Sequence, residues 1–427
     1  MRRPSHLHPS HLAQPFKGVT ACLAAFVLTS GVMWAVPATP ADLAADDPAN
    51  PASPTPASTS KALSFDYALR GGYDTNLFGD TSKLRGTFLE EEAKLRGSVD
   101  LEGGELSYGL WHRERQVEHY SFGNEHVTGA SLGFKTKLGD RTDFSIEGGI
   151  SRDATGDVLI AVPGSVIGYR STDMNYSLAS SLSSEFLGGK NTLTASVEDK
   201  NRGKAKFTTD LLLPGKVEAD VTALDVTASH IRPALSGEVG FTLAYRQTFV
   251  PSSEQMTLLR FPASSLRGSI AYGRKLGENV AVIAEGGITG ISADQLGSDV
   301  RQVRPYLRAS LEWQATNRLQ LAIGYDRDFA ITDLDDPLGE YIGTLKLAAG
   351  LKLTDSLDAK LVYELASSDW LYYVYNTRTR RLTGTLTWQF AKDHKLEFEY
   401  RRVDRDETDP AQNFTGNQYF TRVSGTF

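Results

Sequence analysis

From Leu63 to Phe427 the chain alternates between apolar and polar positions, run after run, and shows no convincing helical stripe. "LTGTLTWQF" places Leu382, Gly384, Leu386, Trp388 and Phe390 on one face and Thr383, Thr385, Thr387 and Gln389 on the other. "VRPYLRASLEW" sets Val303, Pro305, Leu307, Ala309, Leu311 and Trp313 against Arg304, Tyr306, Arg308, Ser310 and Glu312. "LDAKLVYEL" and "KLEFEY" behave the same way, with Asp358, Lys360 and Glu364, or Lys395, Glu397 and Glu399, on the polar side. A period of two is the signature of strands whose faces meet different surroundings.

The connections follow a second pattern. Short polar breaks fall at Glu102–Glu105, Gly139–Thr142, Gly188–Asn191, Arg232–Gly237, Gly277–Asn279, Ala315–Asn317, Thr354–Ser356 and Ala391–His394. Their spacing, roughly 37 to 49 residues, suits a hairpin of long strands and one generous loop. Between them lie "DATGDVLIAVPGSVIGYR" (Asp153–Arg170), "DRDFAITDLDDPLGE" and "DRDETDPAQNFTGN". Short turns at one end and long loops at the other predict an all-β chain, a transmembrane antiparallel up-and-down β-barrel of about 18 strands. Closure satisfies every strand's backbone groups in lipid and leaves no sheet edge.

The final residues, "NQYFTRVSGTF", set Tyr419, Val423 and Phe427 on one face. That ending is similar to the terminal strand of bacterial outer-membrane barrels, and the similarity implies an insertion signal on these three residues. Aromatics at Trp313, Tyr325, Tyr245, Phe249, Tyr272, Trp388, Phe390 and Trp370 fall near strand ends, where girdles form at the lipid interfaces.

Composition adjusts this picture without displacing it. A mean hydropathy of -0.29 is too polar for a helical membrane bundle and is compatible with strands apolar on alternate positions only. A net charge of -7 argues against a nucleic-acid partner. Residues 1–41 read as a signal peptide: Arg2, Arg3 and Lys17 precede the apolar run Gly18–Val36, and cleavage is expected after Ala38 or Ala41. Residues 42–62, rich in Pro, Ala and Ser, read as a periplasmic spacer. The barrel is then residues 63–427. The lone cysteine, Cys22, lies in the leader, so the mature chain carries no disulfide.

A barrel of this size leaves an aqueous lumen. Its expected lining residues carry both signs: Arg304, Arg308, Lys346, Lys360, Lys395 and Arg401 against Glu312, Asp326, Asp358, Glu364, Glu397 and Glu399. Such a mixture reads first as a water-filled wall pairing its charges, and second as a track for a charged or sugar-like solute. Residues 153–170 are expected to form a hairpin turning at Pro163-Gly164, the alternative being a loop folded into the lumen. The aspartates of "DLDDP" and "DRDETDP" lack the spacing of a calcium loop and read as solvated loop residues. His112, His119 and His126 are seven residues apart, so along one strand neighbours point to opposite faces. No catalytic motif and no metal site is expected, and no cofactor.

"GGYDTNLFG" (Gly71–Gly79) at the end of the first strand resembles the "GYD-(S/T)-N" opening of the β-barrel porin 2 family. The resemblance implies an outer-membrane channel or scaffold, with exopolysaccharide secretion as its setting. Implied partners are outer-membrane lipid, the barrel-insertion machinery, and polysaccharide or periplasmic export components. A non-conducting barrel that anchors or assembles a surface component is the alternative.

Overall fold

The structure, a computed structural model, describes residues 63–162, 165–295, 298–331 and 336–427. The proposed leader and spacer lie outside them. The first half of the wall comprises β1 (Ser64–Asp74), β2 (Gly86–Leu101), β3 (Gly104–Val117), β4 (Glu125–Lys137), β5 (Thr142–Val162), β6 (Ser165–Phe186) and β7 (Gly189–Asn201). A two-residue strand, β8 (Lys206–Phe207), pairs with β6 in an outer loop and is not part of the wall. The wall resumes with β9 (Val221–Ala234), β10 (Gly237–Phe249), β11 (Ala263–Leu276), β12 (Val280–Gln295), β13 (Ser298–Gln314) and β14 (Leu319–Ala330). It finishes with β15 (Glu340–Lys352), β16 (Leu357–Trp370), β17 (Asn376–Ala391), β18 (His394–Glu407) and β19 (Phe414–Thr426). Each wall strand is antiparallel to both neighbours, and β19 pairs back onto β1, closing an 18-strand barrel. All the short connections predicted from the polar breaks are tight turns between consecutive strands.

Alternation decides which way each side chain points. Leu361, Leu386, Phe398, Leu132, Ile270 and Ile288 are exposed on the outside, where lipid replaces water as their solvent. Their strand neighbours point inward. The outward belt on β17 runs from Leu382 to Phe390, and charge resumes at Arg380, the next outward position. Outward aromatics border the belt: Trp313, Trp388, Phe390 and Phe427 near the short turns, Tyr73, Phe249 and Tyr419 near the long loops. Trp370 is the exception to the predicted girdle. It shares the parity of inward-facing Ser368 and packs with its ring tilted against Tyr375 (4.8 Å) in the outer mouth.

The closing seam explains the "GGYDTN" stretch. Gly72 faces inward, and a Cβ there would lie 2.5 Å from the Tyr419 carbonyl oxygen and 2.6 Å from Phe420 Cβ. The space it leaves admits Phe420, over whose ring the Arg70 guanidinium stacks at 3.5 Å. Asp74, fully buried, accepts from the Asn76 amide (2.7 Å) and from Gln418 Nε2 (2.7 Å). The Asn417 amide donates to Thr75 Oγ1 (2.8 Å). At the other end of the seam, Phe427 exchanges backbone hydrogen bonds with Phe65 and stacks on Tyr67 (5.6 Å).

Candidate functional site in the lumen and its outer mouth

Every charged residue expected on the wall lies on the face opposite the apolar belt. Arg308 stands between its cross-strand partners Glu285 and Asp326. Lys346 is paired with Glu364 across β15 and β16, and Glu364 accepts from Arg381 (2.9 Å). Lys395–Glu397 (3.1 Å) and Arg401–Glu399 (3.0 Å) are ion pairs, and Arg422 approaches Glu397 and Glu92. Glu312, Asp358 and Lys360 line the inward face nearer the short turns. Neighbouring opposite charges thus hold one another in place along the wall.

Arg304 is placed differently. It too points inward, yet its guanidinium sits over the ring of Tyr341 (4.8 Å) and meets Asp369 (3.0 Å). By parity Tyr341, Phe329 and Asp369 belong to the outward face of β14–β16. They reach Arg304 because the outer ends of these strands lean into the lumen, so that their outer face packs on the inner face of β11–β13. The ladder records the departure: β13 pairs with β14 only as far as Leu307–Arg327, while β14 and β15 remain paired to Ala330–Glu340. The next residue of β13 facing β14 would be Pro305, which has no N–H to offer. Its carbonyl accepts instead from the Tyr341 hydroxyl.

This leaning tip has its own core. Phe261, Ala263, Ile291, Ala293, Phe329, Ile331, Leu338 and Tyr341 form one buried apolar cluster, with Tyr372 stacked on Phe261 at 5.9 Å. Asp336, fully buried, fastens it. One carboxylate oxygen accepts from the amides of Leu338 (2.9 Å) and Gly339 (3.0 Å), the other from those of Tyr372 (2.9 Å) and Tyr373 (3.2 Å). Arg260 donates to the carbonyls of Asp336 (2.9 Å) and Ile331 (2.8 Å). Three outer loops are therefore tied together across one side of the mouth. Beneath them Arg267 pairs with Asp328 (2.8 Å), and Tyr306 donates to Glu285 (3.1 Å).

Between these tied loops and β7–β9 lies a cavity of about 380 Å³, lined by Glu198, Lys200, Arg202, Glu218, Arg260 and Asp336 among others. A clip beside it joins two loops: Lys216 Nζ reaches Asp220 (2.6 Å) and Glu254 (2.7 Å). Burial acts to lower the Lys216 pKa, but hydrogen bonds to these two carboxylates outweigh it and raise the pKa above the ordinary lysine value. A raised lysine pKa means the clip contributes throughout the neutral range and is lost as pH climbs through that raised value.

Residues 153–170 form the outer end of the β5–β6 hairpin, paired as far as Val162–Ser165, as expected. Pro163 and Gly164 lie outside the described residues. Sequence reasoning did not find the fold-in of β14–β15, nor Arg267, Glu285 and Asp328 on the wall. It also read Asp336 as a solvated loop residue, and the structure corrects this. Burial among four backbone donors gives that carboxylate a structural task. Asp333 of the same run lies outside the described residues. In "DRDETDP", Asp404 and Asp406 pair with Arg402 and Arg380, and Asp409 caps the Ala411 amide. Across the β3–β4 hairpin, His112 and His126 share the outward face, with ring centroids 4.9 Å apart.

No protein-family model matches the chain, and no curated protein matches it. Solved structures that resemble it are large barrels. The FrpB iron transporter from Neisseria meningitidis is 10% identical, with 85% of this chain and 81% of that one covered at a TM-score of 0.49. OccAB4 from Acinetobacter baumannii is 11% identical, covering 86% and 99%, at 0.47. In the FpvAI–pyocin S2 complex the match is 9% identical over 82% of this chain at 0.49, and this chain spans only 58% of the length of the chain it matches. These likenesses concern the fold alone. The closed wall, the apolar outer belt and the charged interior are those of a β-barrel with a lipid-facing outside and a polar lumen.

Proposed function

We propose that the barrel is a non-enzymatic, porin-like channel that passes a hydrophilic solute across the outer membrane, with secretion of an exopolysaccharide as its setting. The observation that carries this reading is the inner wall. It presents paired charges of both signs along its length, a surface that stays hydrated and lets a polar solute slide without binding tightly. The "GGYDTN" resemblance to the β-barrel porin 2 family supports the polysaccharide setting. Tyr419, Val423 and Phe427, in line along the outer face of β19, are the surface we assign to the insertion machinery.

Liposome swelling tests the solute class. Vesicles carrying the folded chain are expected to swell in neutral monosaccharides several-fold faster than empty vesicles, and added acidic polysaccharide is expected to slow them. Swelling no faster than in empty vesicles would refute the channel. A second reading is favoured by one feature, the tied outer mouth: a barrel whose lumen stays shut and which anchors or assembles a cell-surface component. Polysaccharide bound without any swelling would select it.

A further inference from the structure

We propose that the outer wall carries a binding site for one borderline divalent cation of the zinc class, built by His112, Glu114 and His126 at the outer border of the apolar belt. The donor atoms of these three side chains lie within 4.8 Å of one another. They converge because β3 and β4 are hairpin partners: His112 is opposite Thr128 and Glu114 opposite His126, so both histidines and the carboxylate share one face. Two imidazoles and one carboxylate are a donor set that suits zinc, with a fourth position left open. Ligands about 2.0–2.2 Å from a tetrahedral ion stand roughly 3.4 Å apart, so closing on the ion needs rotamer adjustments of about an ångström and no backbone movement.

The surroundings orient the donors. The Thr128 hydroxyl lies 3.1 Å from Nδ1 of His112 and 3.4 Å from Nε2 of His126. A proton on Nδ1 of His112, donated to that hydroxyl, leaves Nε2 as the free donor, and this atom is the one that faces Glu114 Oε2 at 4.0 Å. Gln116 Nε2 donates to the other oxygen, Oε1, of Glu114 (3.0 Å), aiming Oε2 at His112. Hydrogen-bonded partners of this kind hold metal ligands in their binding orientation. Glu91, the cross-strand partner of Glu114, adds a second negative charge on the same outward face.

The position argues against an idle cluster. His112 follows Leu110 at the next outward position of β3, and Leu110 is exposed in the belt. A bound cation would balance the negative charges of Glu114 and Glu91 beside the belt.

The test is calorimetric titration of zinc chloride into the folded full-length chain in detergent micelles, against the His112→Ala/His126→Ala double variant. Reading the difference between the two proteins cancels the leader histidines His6, His8 and His11. The expected result is one zinc ion per barrel in the native chain that is absent from the double variant, and at least tenfold weaker binding in Glu114→Gln. Heat-modifiable migration verifies that each variant is a folded barrel. Identical isotherms for the native and doubly substituted folded barrels would overturn the proposal, as would a native chain that binds no zinc.

Discussion

Replacing Asp336 with alanine is expected to release the outer mouth. The carboxylate accepts four backbone N–H groups from two loops and is fully buried. Each buried donor left unmet costs roughly 1–3 kcal/mol, so four of them together cost about 4–12 kcal/mol unless water reaches them. The loops must therefore open to water, while the paired wall below is untouched. Amide exchange at Leu338, Gly339, Tyr372 and Tyr373 is expected to rise by at least a hundredfold, with the strand ladders of β17–β19 unchanged. Asp336→Asn is expected to fail nearly as badly, since its NH2 group would face one of the two donor pairs. Unchanged exchange at those four amides would show that the apolar cluster alone holds the tip.

The second large effect separates the two faces of one strand. Thr385 and Leu386 are adjacent on β17, Thr385 inward near Glu399 and Leu386 outward in the middle of the belt. An arginine at the bilayer midplane of a barrel costs about 2–4 kcal/mol, so Leu386→Arg is expected to depress insertion into vesicles and lower the urea midpoint of the inserted fraction. Thr385→Arg places the same charge beside a carboxylate in the lumen and is expected to insert like the native chain. Equal behaviour of the two variants would mean that the belt does not face lipid.

The strands and their two faces were legible because lipid outside and water inside impose opposite chemistry on alternate residues, as at Thr385 and Leu386. The short turns were legible for a related reason: brief polar breaks, several with glycine, reverse so many long strands. The narrowed mouth was not. Phe329 and Tyr341 hold the same parity as lipid-facing Ile323 and Leu347, so nothing in the alternation distinguishes an aromatic ring in a membrane girdle from one packed over the lumen. Pro305 was the available signal, a residue without an N–H in a strand that otherwise reads as central. Asp336 was hidden by its neighbours, because a run of acids suggests solvent while its partners are backbone amides supplied by distant loops. His112, His119 and His126 were read along one strand, where the seven-residue spacing between neighbours separates faces. The relation of His112 to His126 runs across a hairpin, which register alone reveals.

Single-channel recording in planar lipid bilayers weighs the whole reading most directly, with the folded native chain compared against Asp336→Ala. A charged, water-filled lumen narrowed at its outer mouth predicts stable steps of small conductance for the native chain and steps several-fold larger for the variant. A folded barrel that stays electrically silent in both forms would contradict a conducting lumen.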